Sequence, residues 1–170
     1  MNLVRCNCFL VGLMLTLIGC TVQHIPKEQS IEPARVPPFK VVGAVKLRNT
    51  QASIENIPIA VSPFTVDINY KNFTDLALKL LKNELDKRHA GGGTNAAKEI
   101  KLAIIDIKML PMSGNFRCII NYTVETGDAY VRGLEAIGAS WNYQTAIDTA
   151  IANVAVGVLN NERILTYLEK

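Results

Sequence analysis

The stretch "GNFRCIINYTVETGD", Gly114 to Asp128, decides the fold. In an extended chain, Phe116, Cys118, Ile120, Tyr122 and Val124 share one side, while Arg117, Asn121, Thr123 and Glu125 share the other. Only Ile119 breaks the polar set. A period of two is what a strand with one covered face requires. Turn formers bound it, "PMSGN" before and Thr126-Gly127-Asp128 after. Upstream, "KEIKLAIIDIKML" (98–110) is rich in β-branched residues and apolar on both sides near Ile104 and Ile105, which predicts a central strand. Downstream, "AYVRGLEAIGAS" (129–140) predicts a third strand. Consecutive strands joined by short turns make an antiparallel meander.

Outward from the meander the period changes to that of helices. In "NFTDLALKLLKNELDKRHAGGG", Phe73, Leu76, Ala77, Leu80 and Leu81 recur at helical spacing. Asn72 is placed to cap a helix over 73–89, with Asp75 in its first turn, Lys87, Arg88 and His89 in its last, and Gly91–Gly93 as the stop. In "NYQTAIDTAIANVAVGVL", Tyr143, Ala146, Ile147, Ala150, Ile151, Val154 and Val158 form a second stripe. Ser140 or Asn142 would cap it, and Gly157 with Asn160 would end it. Ala146 and Ala150 are small enough to let this helix lie close to a sheet. A short final helix through Leu165 and Leu168 closes the core. Ahead of the first helix, "FKVVGAVKLRN" (39–49) reads as a strand and "IPIAVSPFTVDI" (57–68) as an extended piece broken at Pro63. The expectation is one α+β domain over 39–170. Its antiparallel sheet, the three-stranded meander plus one or two leading strands, is packed by two amphipathic helices.

The amino terminus has a different logic. Arg5 precedes "FLVGLMLTLIG", too short an apolar run to span a bilayer as a helix, which needs about 20 residues. A positive start, an apolar middle and a small residue at the cut are the parts of a secretory signal. Leu17, Ile18, Gly19 and Cys20 resemble the lipobox of bacterial lipoproteins. That resemblance implies a leader over 1–19, cleavage between Gly19 and Cys20, and acyl chains on Cys20. Two or more chains anchor stably where one holds marginally. Thr21 stands where an Asp commonly retains Gram-negative lipoproteins at the inner membrane, so the resemblance implies the outer membrane, with the domain facing the periplasm. From Thr21 to Pro38, "TVQHIPKEQSIEPARVPP" carries Pro26, Pro33, Pro37 and Pro38, and the expectation for 20–38 is a flexible tether behind the lipidated Cys20.

Hydrophobic residues make up 49% of the chain, a figure raised by the leader, and the net charge is +3. So slight a balance offers no basic stripe for nucleic acid. Cys6 and Cys8 lie in the leader and Cys20 carries the lipid, which leaves Cys118 with no disulfide partner and the character of a buried hydrophobe.

Motifs for chemistry are sparse. "AGGGT" (90–94) follows a helix and precedes a strand, the reverse of a phosphate loop, and reads as a connector. His24 falls in the tether, and His89 suits a helix end. The chain has no HExxH, Cys-x-x-Cys or G-x-S-x-G in the mature region, and no cofactor is expected. The sequons at Asn72 and Asn121 need eukaryotic machinery that a lipobox argues against. Asp106 and Glu125 on neighbouring strands, with Glu135 beyond, are the only candidates for carboxylate catalysis. That leaves a small envelope hydrolase as the alternative to a non-enzymatic protein.

From Asn72 to Lys170, the order of helix, apolar strand, "GNFRCIINYTVETGD" hairpin, "TAIDTAIANVAVGVL" helix and charged tail resembles the small bacterial lipoproteins of the YajG type. It is similar in pattern to α+β lipoproteins that assist transporters or envelope assembly. The resemblance implies an accessory protein that is anchored to the membrane by its lipid and binds an envelope partner, and it brings no catalytic residues. If helices cover the Phe116 face, the opposite face is left for a partner, with Arg117, Asn121 and Thr123 around Ile119.

Overall fold

A computed structural model describes residues 21–52, 55–61, 64–89 and 98–170. The leader, the cut at Gly19 and Cys20, and the "AGGGT" connector lie outside the described residues. In chain order the strands are β1 (Thr21–Gln23), β2 (Val45–Asn49), β3 (Asn56–Val61), β4 (Phe64–Asn69), β5 (Lys98–Met112), β6 (Asn115–Thr126) and β7 (Val131–Ser140). The helices are α1 (Tyr70–Lys87), α2 (Tyr143–Leu159) and α3 (Glu162–Glu169), with a 3-10 turn at Pro33–Arg35.

The meander forms as the alternation predicts: β5, β6 and β7 pair antiparallel, and β5 is central. Gly114, with φ 75°, supplies the left-handed residue of the tight turn between Met112 and Asn115. The α+β class holds, but the sheet is not purely antiparallel. β2 joins the edge of β5 in parallel, giving the order β2-β5-β6-β7. The crossover between them contains β3, β4 and α1, long enough to bring the chain back in the same direction. A second sheet, ordered β1-β4-β3, is also mixed, with β1 parallel to β4 and β3 antiparallel to it. "IPIAVSPFTVDI" is therefore a hairpin rather than one extended piece.

Helix boundaries shift from the sequence expectation. Asn69, not Asn72, caps α1, its side chain accepting from the Asn72 amide, and Tyr70 begins the helix. Asn142 caps α2 by accepting from the Gln144 amide, and Asn160 closes it. Gly157 stays inside the helix. Its missing side chain makes room for Tyr122, whose hydroxyl would lie 2.3 Å from a Cβ there. Three helices complete the fold: the short final helix expected through Leu165 and Leu168 joins the two long ones as α3 and adds buried Ile164 and Leu168.

The helices cover one sheet face. Cys118, Ile120, Tyr122 and Val124 are buried beneath them, with Phe116 partly so. Such side chains each contribute about 1.5–3 kcal/mol on burial. α2 is enclosed on nearly every side, including Ala152, Val156 and Asp148, so it is a central helix and not a one-faced amphipath. It approaches β7 closely where Gly138 leaves space against the Ala146 and Ala150 backbone.

The tether expectation is overturned for 21–38. β1 is zipped to β4 through Thr21 opposite Thr65, and His24, Ile31 and Val36 are buried. Arg35 donates to Asn153 of α2, whose amide donates to the Ile137 carbonyl, and Asn160 donates to the Arg35 carbonyl. The prolines do prevent a helix, but an extended chain with apolar residues can still be packed as a strap. Among the described residues, the packed chain thus reaches back to Thr21, ahead of the expected boundary at residue 39.

Candidate functional site

The face of the four-stranded sheet opposite the helices is built in rows across β5, β6 and β7. Arg117 lies between Leu110 and Ala139, Ile119 between Lys108 and Ile137, Asn121 between Asp106 and Glu135, and Thr123 between Ala103 and Gly133. The four β6 residues singled out from sequence are all half-buried on this face, shielded by their neighbours in the sheet. Ile119 is not an isolated apolar residue. Ile137 (41% exposed) is directly opposite and Leu110 (43% exposed) is in the next row, a patch bordered by Arg117 and Asn121. The Arg117 Nε is buried without a hydrogen-bond partner, a donor that an incoming acceptor could satisfy.

The carboxylates are not brought together as a pair. Asp106 faces Asn121 and lies 3.2 Å from Lys108, whereas Glu125 faces Lys101 at 2.6 Å. That bond holds the Lys101 ammonium above its usual value. Glu135 lies on β7 across from Asn121, a full strand away from Asp106. Asp106 and Glu125 are each paired with a lysine on the sheet, and Lys101 also lies 3.9 Å from Glu99.

The sequence reading missed a second feature, a buried clasp. His24 Nε2 donates to Asp148 Oδ1 at 3.0 Å, and the Lys27 amide donates to the same oxygen at 3.0 Å. Both side chains are buried, and the imidazole stands edge-on to Phe73 at 5.8 Å. The signal was present. Asp148 is the only charged residue in α2, and a carboxylate on a buried helix must find a partner. Beside the clasp lies a cleft of about 310 Å³ edged by Ile25, Gln144 and Thr145. A groove of about 340 Å³ runs between β2 and the end of α1, where His89 bridges to Val41.

Burial pushes the Cys118 thiol up to about 12, so it is no thiolate nucleophile. Among the described residues, no group of three or more His, Cys, Asp or Glu side chains could hold a metal ion. No described helix is long and apolar enough to cross a membrane. No protein-family model matches the chain, and a comparison with curated proteins finds no match.

Proposed function

We propose that this chain is a lipid-anchored accessory protein of the bacterial envelope. Cys20 holds it at the outer membrane, it faces the periplasm, and it acts by binding a partner protein on the open β5–β6–β7 face. The lipobox order of Arg5, apolar run, Gly19 and Cys20 supports the anchor, and the resemblance to YajG-type lipoproteins supports the accessory role. The observation that carries the binding role is the row geometry. Ile119, Ile137 and Leu110 form an apolar centre, ringed by Arg117, Asn121 and Thr123 as hydrogen-bonding groups that would set a partner's register. An apolar core with a polar rim is the arrangement that excludes water at interfaces.

The test is in-cell crosslinking of wild type and an Ile119→Asp, Arg117→Glu double variant. The variant should lose the crosslinked partner bands while its thermal unfolding stays nearly unchanged, because both positions lie outside the helix-covered core. Undiminished crosslinking by a folded variant would contradict the proposed face. Amide replacements at Asp106, Glu125 and Glu135 probe the hydrolase alternative. Loss of the cellular phenotype from one such change, with fold, abundance and partner crosslinking intact, would favour it over the binding role.

A further inference from the structure

We infer that the end of the molecule next to Cys20 lies on the bilayer itself, with Trp141, Ile25, Met112 and Val22 seated at the headgroup boundary of an anionic phospholipid surface. This rests on the lipid-anchored reading above. Thr21 is one Cα step, about 3.8 Å, from Cys20, and Thr21 is fixed opposite Thr65 in the folded sheet. The anchor therefore has no slack, and the end of the fold that carries Thr21 is held at the headgroups.

Several elements meet at that end. The strap containing Gln23, His24 and Ile25 lies against the first turns of α2, sharing a cleft with Gln144 and Thr145. Trp141 stands two residues ahead of that helix. Tyr143, its first residue, packs edge-on to Phe116 at 6.2 Å. Phe116 in turn is paired with Pro111 on one side and Ser140 on the other, which brings the turn at Met112 alongside. Trp141 is 77% exposed, Ile25 74%, Met112 51% and Val22 40%. One exposed apolar side chain needs no explanation, but four gathered where a lipid enters are a surface.

The charge at this end matches. Residues 21–27, 107–124 and 136–147 contain no Asp or Glu and include Lys27 and Arg117, while Lys108 is paired with the neighbouring Asp106 at 3.2 Å. Lys27 and Arg117 at this end would be attracted to anionic lipid. Tryptophan favours the membrane–water interface, where its ring meets acyl chains and its N–H meets headgroups. Such contacts add to the acyl anchor as a second signal.

Trp141 is the chain's only tryptophan and so reports its own environment. The purified lipidated chain is reconstituted in vesicles of phosphatidylethanolamine and phosphatidylglycerol, and its fluorescence is followed with iodide in the water and with brominated acyl chains in the bilayer. Trp141 emission should shift to the blue, brominated lipid should quench it and iodide should not. An Ile25→Asp, Met112→Asp variant, changed only at exposed positions, should regain iodide quenching while still floating with the vesicles. A chain that is acylated and floats, yet keeps a water-accessible Trp141 untouched by brominated lipid, overturns this inference and leaves the anchor standing. A chain without lipid on Cys20 overturns both. Equal bromine quenching in purely phosphatidylcholine vesicles would overturn the anionic preference.

Discussion

At the residue scale, Gly138 fixes how closely α2 meets the sheet. A Cβ at Gly138 would lie 2.1 Å from the Ala146 carbonyl oxygen and 2.4 Å from the Ala150 amide. Both contacts are to helix backbone and cannot rotate away. Gly138→Ala should therefore force α2 off β7 and cost about 3 kcal/mol, the upper part of the usual range for overpacking. A urea midpoint equal to that of wild type would contradict this close approach. Glu84 makes a different prediction. Burial pushes its carboxyl up, but hydrogen bonds from Lys87 and Arg88 outweigh that and hold it below the ordinary carboxylate range. A depressed folded value adds stability above the unfolded value, about 4.3 for Glu, and that stability is lost as pH falls through the folded value. Urea midpoints taken from neutral into acid should fall more steeply for wild type than for Glu84→Gln, with the variant the less stable at neutral pH. Parallel pH profiles would show that the Glu84 cluster contributes nothing.

At the element scale, the strap from Thr21 to Pro38 depends on the clasp at its start. Asp148→Ala leaves the His24 imidazole and the Lys27 amide without their shared acceptor, and the buried orphan donor on His24 alone costs about 1–3 kcal/mol. Limited proteolysis of the variant should cut first within 24–38, while the β5–β6–β7 meander survives longer. Wild-type resistance in that segment would mean that strand pairing and Ile31 and Val36 hold it without the clasp. This is also where sequence reasoning reached its limit. The meander was legible because each strand carries its own alternation and neighbouring strands are joined by short turns. β1 and the parallel pairing of β2 were not, since such pairing is set by chain segments far apart, Thr21 with Thr65 and Val45 with Lys98. Four prolines concealed the strap, though Ile31, Val36 and Asp148 were the residues that required it.

At the scale of the whole molecule, the open sheet face was legible from one strand, but its apolar centre was not. Ile119 gains meaning only when register sets Ile137 beside it and Leu110 one row on. The proposed membrane end is similarly non-local, since Ile25 shares a cleft with Gln144 and Tyr143 packs on Phe116, residues distant in sequence. The account unites these surfaces in one arrangement. In the proposed arrangement the acyl chains on Cys20 are one residue ahead of the folded Thr21, and the proposed partner-binding face is the open side of the β5–β6–β7 meander. Its central claim is the processed and lipidated amino terminus. Mass spectrometry of the amino-terminal peptide from membrane-extracted protein should find Cys20 as the first residue, carrying acyl chains, with residues 1–19 gone. A mature peptide that begins at any other residue, or a Cys20 without lipid, would contradict it.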